Sequence, residues 1–329
     1  MPERKRARPP KPSGPGRETI YQEVTGRIIS ELEAGRVPWV QPWGGAKAGI
    51  GLPRNAATER SYSGINILIL WGAVIEKAYS AQHWLTFRQA LALGGHVRKG
   101  ERGTTVVYAD RFIPKDEQQR ATEAGDGEAE QETLRGSVSR PNRAVPFLKR
   151  FTVFNVDQCD GLPEGVCVGR APLPEREAVP VAEALIAATG ADFRIGGARA
   201  YYVPSADYIQ VPPQPAFFEQ INYYRTCFHE LGHWTGHAAR LARDLAGSFG
   251  SKRYAREELV AEMASAFVCA SLGITPTVRH ADYIGSWLEV LREDNRAIFQ
   301  AASLASKAAD YLLAFRGAEA GPGAGEAAA

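Results

Sequence analysis

His229-Glu230-Leu231-Gly232-His233 is the stretch of this chain best suited to chemistry. On a helix, residues four apart stack on one face. Two imidazoles at that spacing can grip one Zn²⁺ and leave Glu230 beside the open coordination position. There its carboxylate can take a proton from a water, which is the work of a metallopeptidase general base. A catalytic zinc keeps three protein ligands, so a third must come from elsewhere. Residues 254–267 read as a helix carrying apolar Leu259, Ala266 and Phe267, with Glu258 and Glu262 one turn apart. Two acids facing one way on a largely apolar helix are costly unless paired or metal-bound. Glu258 is read as the third ligand. Glu262 is read as the carboxylate that holds a ligand histidine through its other ring nitrogen. Glu257, about 100° round the helix, is read as a solvated acid. His237 is the rival ligand, four residues after His233. Gly236 is expected to end the helix first, in a left-handed cap, leaving His237 to cap a helix end or line the cleft.

These groups need elements to position them. Phe218, Ile221, Tyr224, Cys227, Phe228 and Leu231 give the first helix a buried face at helical spacing. Gly232 lets its backbone pass close to a neighbour. Ahead of it a helix over 181–189 and strands over 192–195, 200–203 and 208–211 are expected. After it come a mobile stretch over 241–253, the Glu258 helix, and one long amphipathic helix over 283–315. The earlier part of the chain predicts helices over 19–35 and 65–77 and a third opening at 83–90. A basic turn over 97–103 leads into a strand from Thr104, paired with another over 147–156.

Composition bounds the rest. The 329 residues are 44% hydrophobic and 23% charged, ordinary for a globular protein and enough for two domains with cores of their own. No apolar run is long enough for a membrane span. The N-terminal stretch is basic and Pro-rich but lacks the apolar segment of a secretory signal. The four cysteines show no metal-knuckle spacing, which points to a reducing, cytoplasmic setting. The expected organisation is α+β throughout: a basic arm over 1–18, a first domain over 19–162 with a disordered insertion at about 115–143, a linker over 163–180, a second domain over 181–316, and a Gly/Ala-rich tail over 317–329.

Between residues 36 and 111 aromatic and cationic residues alternate, as they do where single strands are bound by stacking and charge. With a net charge of only +2, such a site must be a local patch. The contact residues picked out are Trp39, Trp43, Arg54, Asn55, Arg60, Tyr62, Arg88, Arg98, Lys99 and Arg102. Trp71, Trp84 and Phe87 are read as core.

The same stretches carry a family resemblance. Pro38-Trp39, Pro42-Trp43, Pro53 with Asn55, Tyr62 to Asn66, Trp84 to Gln89, Val97 to Gly103 and Val153 to Gln158 resemble the N-terminal domain of ArdC-type antirestriction proteins, also found in TraC-type primases. Tyr224 to His237, Arg240-Leu241 and Tyr254 to Glu262 resemble that family's zincin-like, gluzincin-type metallopeptidase domain. The resemblance implies a plasmid- or mobile-element-borne protein that binds single-stranded DNA and protects incoming DNA from host restriction. It also implies a site for Zn²⁺, with Mn²⁺ or another divalent ion as alternatives, and a possible protein substrate such as a restriction-system component. In zincins an edge strand pairs with the substrate backbone, and Tyr208–Val211 is the first choice here, with 200–203 second. His237, Tyr223 and Tyr254 stand open as candidates for stabilising the oxyanion.

Overall fold

The computed structural model describes residues 19–40, 49–112, 145–166, 173–248, 250–276 and 283–318. The basic arm, Trp43, the insertion and the terminal tail lie outside these residues.

Helix α1 (Ile20–Glu33) starts at a capping box. The Thr19 side chain accepts from the Gln22 N–H, and the Gln22 side chain accepts from the Thr19 N–H. Helix α2 (Ile65–Lys77) is apolar nearly all round and buried accordingly. The first half also holds strands β1 (Arg54–Asn55), β2 (His83–Leu85), β3 (His96–Val97), β4 (Thr104–Phe112), β5 (Val145–Asn155) and β6 (Cys159–Asp160). β3 and β6 form a separate pair, and the others form one sheet in the order β1-β2-β5-β4. Asn66 docks α2 on this sheet by imitating a strand neighbour. Its amide accepts from the Val107 N–H at 2.9 Å and donates to the Val107 carbonyl at 2.7 Å. The helix expected to open at 83 starts later. Trp84 and Leu85 pair with Asn155 and Phe154, and only then does Thr86, with Gln89, cap helix α3 (Phe87–Ala92).

The second half begins with α4 (Glu175–Ala188), which runs through Pro180 and so starts earlier than the expected 181. Strands β7 (Asp192–Ile195), β8 (Tyr201–Val203) and β9 (Tyr208–Val211) form a sheet in the order β7-β9-β8. Helices α5 (Gln220–Trp234), α6 (Lys252–Leu272), α7 (Ile284–Glu293) and α8 (Ala297–Ala318) follow. The single helix expected over 283–315 is two, parted where the Asp294 carboxylate accepts from the Arg296 N–H and from Arg256. Phe218 precedes α5 and is fully exposed, so it supplies none of that helix's buried face.

The two halves do not keep separate cores. One cluster of buried side chains runs from Ile20 to Leu312. Trp39 meets Trp287 edge to face at 5.4 Å, and Trp71 meets Phe267 at 5.7 Å. Thr25 donates to the Asn295 carbonyl across the same boundary at 2.7 Å. Among the described residues no helix is long and apolar enough to cross a membrane.

Candidate metal centre

α5 is buried on almost every side, and α6 crosses it at Gly232. A Cβ on Gly232 would lie 3.1 Å from the Ala261 Cα and 3.3 Å from the Ala261 Cβ. Glycine at that point lets the helices approach until side chains from both reach one place. α6 can sit inside the molecule because its interior is largely Ala, Ser and aliphatic residues. Ser251 accepts from the Tyr254 N–H at its start, and Gly273 closes it with φ 77°.

His229, His233 and Glu258 come together there. The two Nε2 atoms are 3.2 Å apart, and each is 3.3 Å from an oxygen of Glu258. A tetrahedral ion with donors at about 2.0–2.1 Å would hold them about 3.3–3.4 Å from each other. The donor set also fits in kind, being two imidazoles and a carboxylate. Glu230, Glu257, Glu258 and Glu262 gather at this crossing, where Arg243 pairs with Glu257, so the site concentrates buried carboxylates. Burial alone would raise the Glu258 carboxyl, but both imidazoles hold it well below the usual range. Burial alone would lower His233, but Glu257 and Glu258 raise it well above its ordinary value.

The outward ring nitrogens have carboxylate partners. Glu262 Oε1 stands 3.8 Å from His229 Nδ1, close enough for an ion pair but not a hydrogen bond. Glu257, expected to be solvated, is 12% exposed at its side chain and faces His233 Nδ1 at 3.3 Å. Arg243 fixes it, donating to both of its oxygens, to the Gly232 carbonyl at 2.6 Å and to Thr235 Oγ1 at 2.7 Å. Arg243 thus ties the start of the stretch over 241–253 to α5 and α6. Arg243 was invisible in sequence because its partners are set by the crossing of α5 and α6. Gly236 does not adopt the expected left-handed cap, for its φ is not positive. It is small because Leu245, Arg243 and the His233 carbonyl crowd it.

A cleft of about 270 Å³ opens beside the cluster, lined by Glu230, Tyr254, Tyr283 and residues of β8. Of the three oxyanion candidates, Tyr254 alone lines it. Tyr223 packs on Phe217 and Tyr224. His237 lies beyond the helix end, where Nδ1 accepts from the Ala239 N–H. Tyr283, outside the sequence reading, meets the Tyr254 hydroxyl at 3.0 Å. Burial, aided by Tyr283 and the Glu258 charge, raises the Tyr254 phenol well above its ordinary value, so it stays protonated. Of the sheet's two edge strands, β7 and β8, it is β8 that lines the cleft. β9, the first choice from sequence, is central and paired on both sides. Asp207, in the turn joining β8 to β9, is gripped by Arg240, whose guanidinium stacks on Trp234 at 3.8 Å. That clamp ties the edge strand to the end of α5.

The residues picked out for nucleic acid divide. Trp39 is fully buried and cannot stack on a base; it joins the two halves instead. The Asn55 carbonyl oxygen accepts from the N–H groups of Ala57 and Thr58, and its amide donates to Gln89, so it shapes a turn. Arg98 is held by Glu101, Asp160 and the Asp157 carbonyl. Tyr62 is half-buried against the core. Arg54, Arg60, Arg88, Lys99 and Arg102 are exposed and form no ion pair among the described residues. Trp71 and Trp84 are core, whereas Phe87, read as core, is 52% exposed. Tyr108 and Phe151 are also exposed, on the ribbon of β4 and β5.

Comparison with known proteins covers both halves. Residues 18–154 match the N-terminal domain of anti-restriction factor ArdC, and residues 180–304 match a zincin-like metallopeptidase domain. The uncharacterised protein y4eC of Sinorhizobium fredii is 42% identical, over 90% of this chain and 92% of y4eC. Two DNA primases TraC of Escherichia coli are each 40% identical over 91% of this chain, which spans only 27% and 20% of their lengths. Crystal structures of the antirestriction protein ArdC from plasmid R388 superpose with TM-scores of 0.72 (metal-free) and 0.70 (Mn(II)-bound). Both are 41% identical, covering 91% of this chain and 98% of ArdC.

Proposed function

Because this chain belongs to the ArdC antirestriction family, we propose that it binds single-stranded DNA through its first half and carries a metallopeptidase centre in its second. In this reading it protects incoming plasmid or mobile-element DNA from host restriction, and its peptidase substrate is a protein of the restriction system. His229, His233 and Glu258 hold the cation, with Glu257 and Glu262 orienting the two rings. The supporting observation is the mutual 3.2–3.3 Å spacing of three donors, His229 and Glu258 buried and His233 partly so, at a cleft that Glu230 also lines. Zn²⁺ suits this donor set. The Mn(II)-bound ArdC of R388 supports a divalent ion more generally.

When bound, the ion would polarise a peptide carbonyl and acidify a water. Glu230 accepts that water's proton and returns it to the departing amine. Tyr254, kept protonated, donates to the oxygen on which negative charge develops. β8 offers its unpaired backbone groups to an extended peptide. On the DNA side, Arg54, Arg60, Arg88, Lys99 and Arg102 take phosphates, and Phe87, Tyr108 and Phe151 offer faces for stacking.

The test pairs Glu230→Ala with a gel shift on the same protein. The variant is expected to keep its metal and its preference for single over double strands while losing peptidase activity and antirestriction. Antirestriction that survives in the variant would reduce the metal to a structural part. Equal affinity for both DNA forms, or none for either, would remove the single-strand reading.

A further inference from the structure

Tyr254 and Tyr283 stand together in the wall of the metal-centre cleft, with their hydroxyl oxygens 3.0 Å apart. At that distance one hydroxyl donates and the other accepts. The Tyr254 hydroxyl has a second neighbour. It is hydrogen-bonded to the carboxylate of Glu258, one turn further along α6. A carboxylate has no proton to give, so it accepts. A phenol has one, so the Tyr254 proton points at Glu258, and the lone pairs of its oxygen remain for Tyr283. By elimination Tyr283 is the donor. The chain therefore runs one way, from Tyr283 to Tyr254 to the carboxylate that also meets both imidazoles. Tyr283 is held from behind. It is the N-cap residue of α7, and Trp287, one turn on, lies tilted against it with ring centres 6.4 Å apart. Trp287 is fully buried and meets Trp39 of the first half. The Tyr283 ring also packs on that of Tyr254, with centres 5.7 Å apart. A phenylalanine would make these ring contacts as well, so packing does not account for the hydroxyl. Its bond to Tyr254 does.

We propose that Tyr283 is a positioning residue of the reaction: its hydroxyl donates to Tyr254 and so keeps the Tyr254 proton aimed at the metal centre, where the peptide oxygen gains charge. The proposal deepens the metallopeptidase reading above and rests on it. Once Glu258 gives its oxygens to a cation it is a poorer acceptor, and the Tyr283 bond is then what fixes the direction of this proton. Hydroxyls in series also polarise one another, so the last donor in the chain is strengthened. Tyr283 itself touches no reacting atom. The site of the second half thus takes part of its precision from the first, through Trp39 and Trp287.

The experiment uses the full-length protein loaded with Zn²⁺, fluorescein-casein as substrate, and the variants Tyr283→Phe, Tyr254→Phe and their double. Tyr283→Phe is expected to lower kcat roughly tenfold, the scale of one hydrogen bond, with KM, metal content and Tm unchanged. Adding Tyr283→Phe to Tyr254→Phe is expected to cost nothing further, because Tyr283 acts only through that hydroxyl. An unchanged kcat in Tyr283→Phe, or losses that multiply in the double variant, overturn the proposal and leave the metallopeptidase reading standing. So does a raised KM at unchanged kcat, which would make Tyr283 a wall for substrate. A wild type that holds Zn²⁺ and leaves casein uncut overturns both. A second measurement needs neither metal nor substrate. In protein whose tyrosines carry carbon-13 at Cζ, the NMR signal that Tyr254→Phe removes is expected to move in Tyr283→Phe. A signal that stays in place overturns the proposal.

Discussion

Glu257 and Glu258 are neighbours with different tasks. Glu258 reaches the two Nε2 atoms, while Glu257 meets His233 from behind and is itself locked by Arg243. On the proposed assignment, removing the ligand Glu258 and removing the orienting Glu257 should differ in degree. Glu258→Ala is expected to abolish metal retention. Glu257→Gln should weaken affinity about 10- to 100-fold, as such orienting partners do elsewhere. Competition with a chelator measures both, and an unchanged affinity in Glu257→Gln would leave His233 positioned without it. The motif spacing singled out His229, Glu230 and His233, and the apolar helix around it singled out Glu258; the structure brings His229, His233 and Glu258 together. Neither signal was enough for Glu257, since a helical wheel puts it off the ligand face without showing that the next loop buries that face.

At the scale of elements, the centre depends on how closely α5 and α6 cross. Gly232→Val would press a branched side chain into the Ala261 backbone. A loss of about 1–3 kcal/mol is expected from overpacking, together with weaker metal retention; denaturant unfolding and metal content measure the two. The clamp of Asp207 on Arg240 gives a pH dependence. The Arg240 hydrogen bond chiefly, with help from Tyr202 and against burial, holds the Asp207 carboxyl below its ordinary value. The folded state then binds fewer protons than the unfolded one. The contact contributes fully above the unfolded pKa of about 4 and fades as pH falls through the folded value. Asp207→Asn should therefore lower stability at neutral pH and flatten the acid limb. Urea midpoints taken across that range test this, and an unchanged acid limb would show that the clamp does not hold β8. The strands themselves were legible from alternation and turn residues. Their order was not, so the central β9 was taken for an edge.

At the scale of the whole molecule, one core spans both family domains. A ligand that binds only the folded form stabilises whatever unfolds with its site. Divalent metal is therefore expected to slow hydrogen exchange in α1 and α2 as well as in α5 and α6. Protection confined to α5 and α6 would mean that the halves open separately. Trp39→Ala, which empties the contact with Trp287, should cost about 3–5 kcal/mol and lower the melting of both halves together. It should leave the stacking of any bound strand unchanged, because this indole faces no solvent.

The chemistry-bearing residues, the α+β class and the resemblance to ArdC proteins all follow from local order along the chain. Helical spacing, capping boxes and turn residues act over a few positions and are visible in a string of letters. Burial is different in kind. Whether Trp39 meets a base or Trp287, and whether Glu257 meets water or Arg243, depend on segments far apart in sequence. Only the packed chain brings those segments within contact distance, so only the tertiary structure could decide them.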